Sequence, residues 1–428
     1  MAADNFFSCM ALNYVWIAFF LIGLLVALCK LVFLQDYEIF KKLVDGIFDS
    51  AKGSVMDVAL PLTGVMVFFM GLMNVGEKAG AVNFLARLLN PFLKRLFPEV
   101  PEKHPAMGQM VMNFSANMLG LDNAATPFGL KAMESLQTLN PRQDTATNAQ
   151  IMFLVLHTSG LTLLPLSIFA YRAGAGSVDP TSVFIPCVLG TVATTVASII
   201  VTGLWQRLRF DWVLAGWLLS IVGLVAGFMW FISTLPSQAS LTEPTFLSRE
   251  TFSKVFGNLV LFLIVAAFIA GGLLKRVNVF DAFIDGAKQG WEVIVKIIPY
   301  LVGMLVAIRV FRESGALEFI INGISWGLAS VGIGSDFVPA LPVAIMKPFS
   351  GSGARGLMLD VFKSHGPDSF VGQMASTFQG SADTTFYILA LYFGSVGIKK
   401  VRYAIWAGMI ADFLGVIAAI FIAYFFFK

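Results

Sequence analysis

The sequence predicts an all-α polytopic membrane protein made of two inverted repeats, each with a re-entrant helical hairpin and a broken transmembrane helix. Three observations lead there. The first is composition: of 428 residues, 57% are apolar and only 13% charged, against roughly 25% charged in soluble domains, and mean hydropathy is +0.80. The second is a set of uncharged stretches about 20 residues long, the length a helix needs to cross ~30 Å of hydrocarbon. The third is a series of short motifs that recurs in the same order in both halves of the chain.

Full spans are expected at about Tyr14–Leu34, Val55–Val75, Thr147–Tyr171, Val183–Trp205, Val213–Thr234, Phe252–Leu274, Ile294–Phe311, Phe370–Val396 and Tyr403–Phe427. Tyr37–Lys52, Val279–Trp291 and Val82–Phe97 carry mixed charge on an apolar pattern and are expected to lie at the membrane interface. Two stretches, about 107–133 and 340–362, are moderately apolar but interrupted by Asn, Ser, Gly and Pro. Each has two half-length arms around a polar middle, the pattern of a hairpin that enters the membrane and returns. Such backbone is tolerated where protein or a polar cavity surrounds it. Met1 to Phe7 carries Asp4 and no Lys or Arg before the first apolar run, so the first span is expected to be retained rather than cleaved. Lys and Arg concentrate on one set of loops when the N-terminus is cytoplasmic. The nine spans then put the C-terminus outside, in a multi-pass protein of the bacterial cytoplasmic (inner) membrane.

The motif series runs as follows. Asp45-Gly46 matches Asp285-Gly286, and Pro61 matches Pro299 early in the next span. Lys78-Ala79-Gly80-Ala81 parallels Glu313-Ser314-Gly315-Ala316, and Asn113-Phe114-Ser115 parallels Pro348-Phe349-Ser350. His157-Thr158-Ser159-Gly160 parallels Gln379-Gly380-Ser381-Ala382. An odd number of spans precedes the second copy, so the copies face opposite ways, a plan common among transporters. The first repeat is expected over 1–208, a linking helix and loop over 209–251, and the second repeat over 252–428.

The polar interruptions supply the candidate site. In the first hairpin they are Asn113, Ser115 and Asn117, followed by Asp122, Asn123 and Thr126, with Pro127 restarting the chain. Asp122 or Asn123 serves either as the cap of the second arm or, in Asp122's case, as an ion-coupling carboxylate. The second hairpin offers Ser350, Ser352 and Arg355 in a glycine-rich stretch whose free amides suit an anion. Arg355 either grips an anion or pairs with Asp360 or a lipid phosphate. The stretch lacks the Gly-Lys-Thr ending of a nucleotide-binding loop. The broken spans carry His157 and Ser159 in one copy and Gln379, Ser381, Asp383 and Thr384 in the other. An acidic residue inside a span is a functional candidate by default, so Asp383 is expected to couple to an ion. A hydrogen-bonded structural aspartate is the alternative. His157 reads as a ligand or proton group, or as a satisfied core histidine.

These motifs resemble the spore maturation proteins A and B. The run Asn113-Phe114-Ser115-Ala116-Asn117-Met118-Leu119-Gly120 through Asn123-Ala124-Ala125-Thr126-Pro127 is similar to the A protein. Ser350-Gly351-Ser352-Gly353-Ala354-Arg355-Gly356 and Gln379-Gly380-Ser381-Ala382-Asp383-Thr384-Thr385 are similar to the B protein. The resemblance covers nearly the whole chain, as in a fusion of the two. It implies membership of the group with a nucleoside-recognition or gate domain, also found in concentrative nucleoside transporters and ferrous-iron transporters, and a substrate site formed by hairpins and broken helices between repeats.

Function classes narrow accordingly. There is no Ser/His/Asp triad, no His-Glu-x-x-His and no paired thiolate, so an enzyme is not expected. Cys9, Cys29 and Cys187 lie far apart, without metal-ligand spacing. No basic run with interleaved aromatics points to nucleic acid. The expected activity is transport of a small polar or anionic solute across the lipid bilayer, facilitative or coupled to Na+ or H+, with no organic cofactor. A homo-oligomer stays open. Movement of a cell-envelope precursor or lipid-linked group is the nearest alternative, and a non-transporting assembly or sensor protein the more distant one.

Overall fold

The computed structural model describes residues 6–120, 122–208, 212–235, 249–330, 332 and 334–428. Every named element among them is helical. Among the described residues, seven helices are long and apolar enough to cross a membrane: Trp16–Leu34, Ile39–Lys78, Pro180–Gln206, Leu214–Thr234, Val255–Leu274, Val279–Glu313 and Ala404–Phe427. The expected spans at 147–171 and 370–396 are instead pairs of short helices, as broken spans should be.

In chain order, α1 (Phe6–Leu34) is followed by α2 (Ile39–Gly53), which runs through a π-helical stretch, Ser54–Ala59, into α3 (Leu60–Lys78). The backbone widens just ahead of Pro61, whose missing N–H and bulky ring deny it an ordinary turn. After α4 (Ala81–Leu96) comes the first hairpin, α5 (Pro105–Met118) and α6 (Asp122–Thr138), then the first broken span, α7 (Asn148–Thr158) and α8 (Leu166–Gly174). The first half closes with α9 (Phe184–Gln206), and α10 (Trp212–Thr234) links it to the second. There α11 (Arg249–Leu274), α12 (Val279–Glu313) and α13 (Ala316–Ser330) precede the second hairpin, α14 (Leu341–Met346) and α15 (Gly351–His365). The second broken span, α16 (Phe370–Gly380) and α17 (Thr385–Ser395), and α18 (Ala404–Phe427) complete the chain.

One expectation is corrected here. The amphipathic pieces Tyr37–Lys52 and Val279–Trp291 are not separate interfacial helices. Each continues without a break into the span that follows, giving single rods of 40 and 35 residues. The faces they turn to protein are small and apolar, Leu43, Gly46 and Gly53 in one rod and Ala282, Gly286 and Gly290 in the other, while Lys41, Asp45, Asp285 and Lys288 stay exposed. Val82–Phe97, by contrast, does stand alone as α4.

The elements recur in order, and matched motifs take matched shapes. Gly80 and Gly315, which open α4 and α13, both sit at φ +87°, a left-handed turn that other residues resist. The rods α3 and α12 pack along their length with antiparallel register: Lys78 meets Asp285, Asn74 donates to the Ala282 carbonyl at 2.6 Å, and Gly290 lies on Val67. These two rods, which carry matched motifs, thus run in opposite directions. Gly286 has no room for a side chain, since a Cβ there would come within 2.5 Å of the Met70 carbonyl oxygen and the Asn74 Cβ.

Reciprocal contacts tie each half to the other at both faces. Arg172, at the end of α8 and fully buried, donates to the Pro367 carbonyl at 2.6 Å and to the Asp368 carboxylate at 2.8 Å. It also reaches Ser177, Ser182, Ser376 and the carbonyls of Asp179 and Pro180. The segment after the first broken span therefore clasps the segment before the second. The converse holds on the other face: Arg402, after α17, donates to the Ala146 carbonyl at 3.0 Å ahead of α7. The amides of Lys399 and Lys400 donate to the Asp144 carbonyl, and the Lys400 ammonium pairs with its carboxylate. Arg402 is exposed. The two clasps correspond in position and differ in depth.

Candidate functional site

Each broken span is interrupted where glycine and short polar residues replace the apolar run. α7 ends at Thr158, and the chain turns through Ser159 and Gly160 before α8 begins beyond Pro165. α16 ends at Gly380, and Ala382 and Asp383 lead to Thr384 ahead of α17. The freed backbone groups find partners in one another. The Asp383 amide donates to the Thr158 carbonyl at 2.8 Å, joining the two breaks. The Leu163 amide donates to the Met118 carbonyl at 2.8 Å, and the Phe386 amide to the Pro348 carbonyl at 3.0 Å. Each break is thus bonded to the hairpin tip of its own repeat. This cross-linking satisfies backbone that lipid could not and brings four irregular segments to one place.

A cavity of about 820 Å³ opens at that junction. Its walls are the second half of α3, the facing first half of α12, both breaks and both hairpin tips. Of the residues singled out by sequence, Asn117, Ser350, Ser352, Arg355, Gln379, Asp383 and Thr384 line it. Gln379 is largely buried, and its Oε1 has no hydrogen-bond partner among the described residues. A buried orphan acceptor costs about 1–3 kcal/mol, which a ligand donor in the cavity would recover. Ser350 caps α15 by accepting from the Gly353 amide at 3.0 Å, and its hydroxyl lies 3.1 Å from that of Ser352. The first amides of a helix have no intrahelical acceptor, and those of Gly351 and Ser352 belong to the cavity wall, at the positive end of the helix dipole. Arg355 adds a guanidinium. It does not pair with Asp360, which is held instead by Arg312 of α12. Asp383 accepts from the Thr384 amide at 2.7 Å, so one of its oxygens is engaged within the break.

The remaining candidates lie behind the wall. Asn113 is fully buried, donates to the Ala125 carbonyl at 2.7 Å, and turns its oxygen to His157 Nδ1 at 2.9 Å. Since that oxygen can only accept, Nδ1 carries the histidine's proton. The pair joins both arms of the first hairpin to α7, with Tyr392 edge-on to the imidazole ring. Tyr392 also bonds Asn113 and Thr126. Ser115 donates to the Val111 carbonyl, Ser159 to that of Leu156 and Ser381 to that of Phe378. The side chains of Asp122 and Asn123 lie outside the described residues.

Sequence reading missed several wall groups. Asn74, Glu77, Gln289 and Tyr300 sit on helices that look like plain spans or surface helices until α3 and α12 are packed together. Lys347 was passed over as a flank of the glycine-rich stretch, yet it is buried and lines the cavity. Asp412, in the middle of α18, carried a signal that was available, because it is the only charged residue in that span.

A membrane protein with a polar cavity lined by paired hairpin tips and helix breaks is the class that fold and site define. The sequence model of the Gate family, described as nucleoside recognition, matches residues 59–177 and 294–399, which take in both hairpins and both broken spans. The chain belongs to this family. It is 47% identical over 160 residues to spore maturation protein B of Bacillus subtilis, covering 88% of that protein and 37% of this chain. It is 37% identical over 189 residues to spore maturation protein A of the same organism, covering 92% of that protein and 44% of this chain. No solved structure matches.

Proposed function

We propose that the protein is a transporter that binds a small polar or anionic solute in the cavity between its two halves, facilitatively or with Na+ or H+ coupling. The observation that carries this reading is the meeting of both hairpin tips and both helix breaks around one polar cavity inside a membrane-spanning body. A purely structural protein has no use for an unpaired buried amide, a helix N-terminus and a guanidinium on one cavity wall. The antiparallel packing of equivalent helices supports inverted repeats, with 1–208 and 252–428 as the repeating units and 209–251 as the link. Asn117, Gln379 and Thr384 supply hydrogen bonds to the solute. Ser350, Ser352 and Arg355 hold its most negative part, and Asp383 answers to the coupling ion. The family's description makes nucleosides the first solutes to test.

The test begins with melting of the purified protein in detergent against uridine, adenosine, their monophosphates and inorganic phosphate. A ligand at 100 times its Kd stabilises the folded state by about 2.7 kcal/mol, a readily measured shift. Gln379→Leu and Arg355→Ala should lose the shift while melting as the wild type does without ligand. Arg355→Lys should lose nearly as much as Arg355→Ala, because the planar fork, and not the charge alone, grips an oxyanion. The stabilising compound should then enter proteoliposomes faster than protein-free vesicles. A ligand whose shift survives both variants binds elsewhere, and a bound ligand that never crosses refutes transport.

A further inference from the structure

We infer that Asp412 carries an exchangeable proton at the junction of α17 and α18, behind the cavity. It is nine-tenths buried in a helix otherwise composed of apolar and small residues. One oxygen, Oδ2, accepts from the Thr385 hydroxyl at 2.6 Å, and Thr385 is itself fully buried. The other, Oδ1, is buried with no hydrogen-bond partner among the described residues. A carboxylate in that position must be neutralised, paired or hydrogen-bonded on both oxygens, since an isolated charge in such a place is very costly.

The charges that reach Asp412 do not balance. Lys347, from the second hairpin, and Asp383, from the second break, act on it electrostatically. The helices α7, α9, α16 and α17, packed on α18, contain no Asp, Glu, Lys or Arg, and their titratable groups are His157, Cys187, Tyr387 and Tyr392. One ammonium and one further carboxylate thus act on Asp412 with opposite sign, and a proton neutralises it. Lys347 and Asp383 also line the cavity, so a charged solute arriving there changes the field at Asp412, and occupancy of the proton changes the field at the solute. A metal ion is a poorer fit, because one carboxylate and one hydroxyl already bonded to it offer too few free oxygens, and among the described residues no group of three His, Cys, Asp or Glu side chains could hold one.

Binding of a proton at Asp412 stands apart from transport; only its influence on the solute rests on the reading above. The experiment uses full-length protein without solute: infrared difference spectra between acidic and alkaline buffer, which report the C=O stretch of a protonated carboxyl group. The wild type should show one buried carboxyl band that vanishes on alkalinisation. Asp412→Asn should lack it, while Asp383→Asn should keep it. Thr385→Val, a milder change, removes the hydroxyl that favours the ionised form. It should move the titration of the band upward by about one pH unit, the equivalent of one hydrogen bond. The proposal falls if the band survives in Asp412→Asn, or if Thr385→Val leaves its titration unmoved. It also falls if Na+ raises the melting temperature of the wild type and not of Asp412→Asn, which would make the site one for sodium. Absence of solute flux, with the band behaving as expected, would instead refute the transporter reading alone.

Discussion

Replacing Arg172 with Met keeps most of the buried stem and removes the guanidinium. That group serves three backbone carbonyls, of Pro367, Asp179 and Pro180, together with three serine hydroxyls and Asp368. Breaking a buried ion pair from one side costs about 3–5 kcal/mol. Asp368, however, is not stranded, because its side chain is 38% exposed and still accepts from the Ser177 hydroxyl and the Val178 amide. The larger loss is the carbonyls left without a donor, at about 1 kcal/mol each. Arg172→Met should therefore cost about 3 kcal/mol. Arg402→Met, at the corresponding position of the exposed clasp, should cost about 0–1 kcal/mol. Reversible unfolding in mixed micelles measures both, and a double-mutant cycle with Asp368→Asn should give a coupling of about 1–2 kcal/mol. Equal costs for the two arginines would refute the claim that the clasps differ in strength.

Gly286→Ala should destabilise by about 1–3 kcal/mol, because the new methyl meets backbone that cannot step aside; Gly64→Ala, with open space around it, is the neutral control in the same unfolding assay. Reporter fusions placed near residue 2 and after residue 428 should report opposite sides of the membrane, and the same side for both would mean that a span has been miscounted. The Thr145 hydroxyl and the Lys400 ammonium hold the Asp144 carboxyl below the usual carboxylate range. Its contribution is therefore present above about pH 4 and lost as the pH falls through its folded value. Amide exchange in segment 396–403, corrected for intrinsic rates, should rise below that point, and Asp144→Asn should reproduce the rise at neutral pH.

Much of this architecture was legible because lipid leaves few options. Uncharged runs of the right length became membrane-crossing helices, and stretches rich in Asn, Ser and Gly became hairpins and breaks, since such residues in lipid need a protein-lined reason to be there. The motif pairing of Gly80 with Gly315 reappears as a shared left-handed turn, which no other residue supplies as cheaply. What could not be read was partnership across the chain. A helix such as Val279–Trp291 looks interfacial until α3 packs on its small residues Ala282, Gly286 and Gly290, leaving Asp285 and Lys288 exposed. Arg355 and Asp360 are near in sequence, yet helix packing gives Asp360 to Arg312. Asn113 and His157 have the chemistry of ligand groups, but the fold spends them on each other. Arg172 was hidden for a similar reason: a lone cation at the end of a span reads as a surface charge, and only the loops that wrap it make it part of the interior.

The unequal clasps bear on how such a body would move. If the two halves are inverted repeats, as proposed above, they can exchange conformations, each adopting the shape the other has left. In that exchanged form the contact network around Arg172 would be inherited by Arg402, and Arg172 would come out to water. The cavity wall drawn from α3 and α12 lies towards the end where Lys78 meets Asp285. That is the end of the looser clasp, which the topology expected from the charge count would make cytoplasmic. Trading the two halves in this way would open the same cavity on the opposite side. Single substitutions at residues 172 and 402 therefore probe the two clasps one at a time without touching the cavity wall.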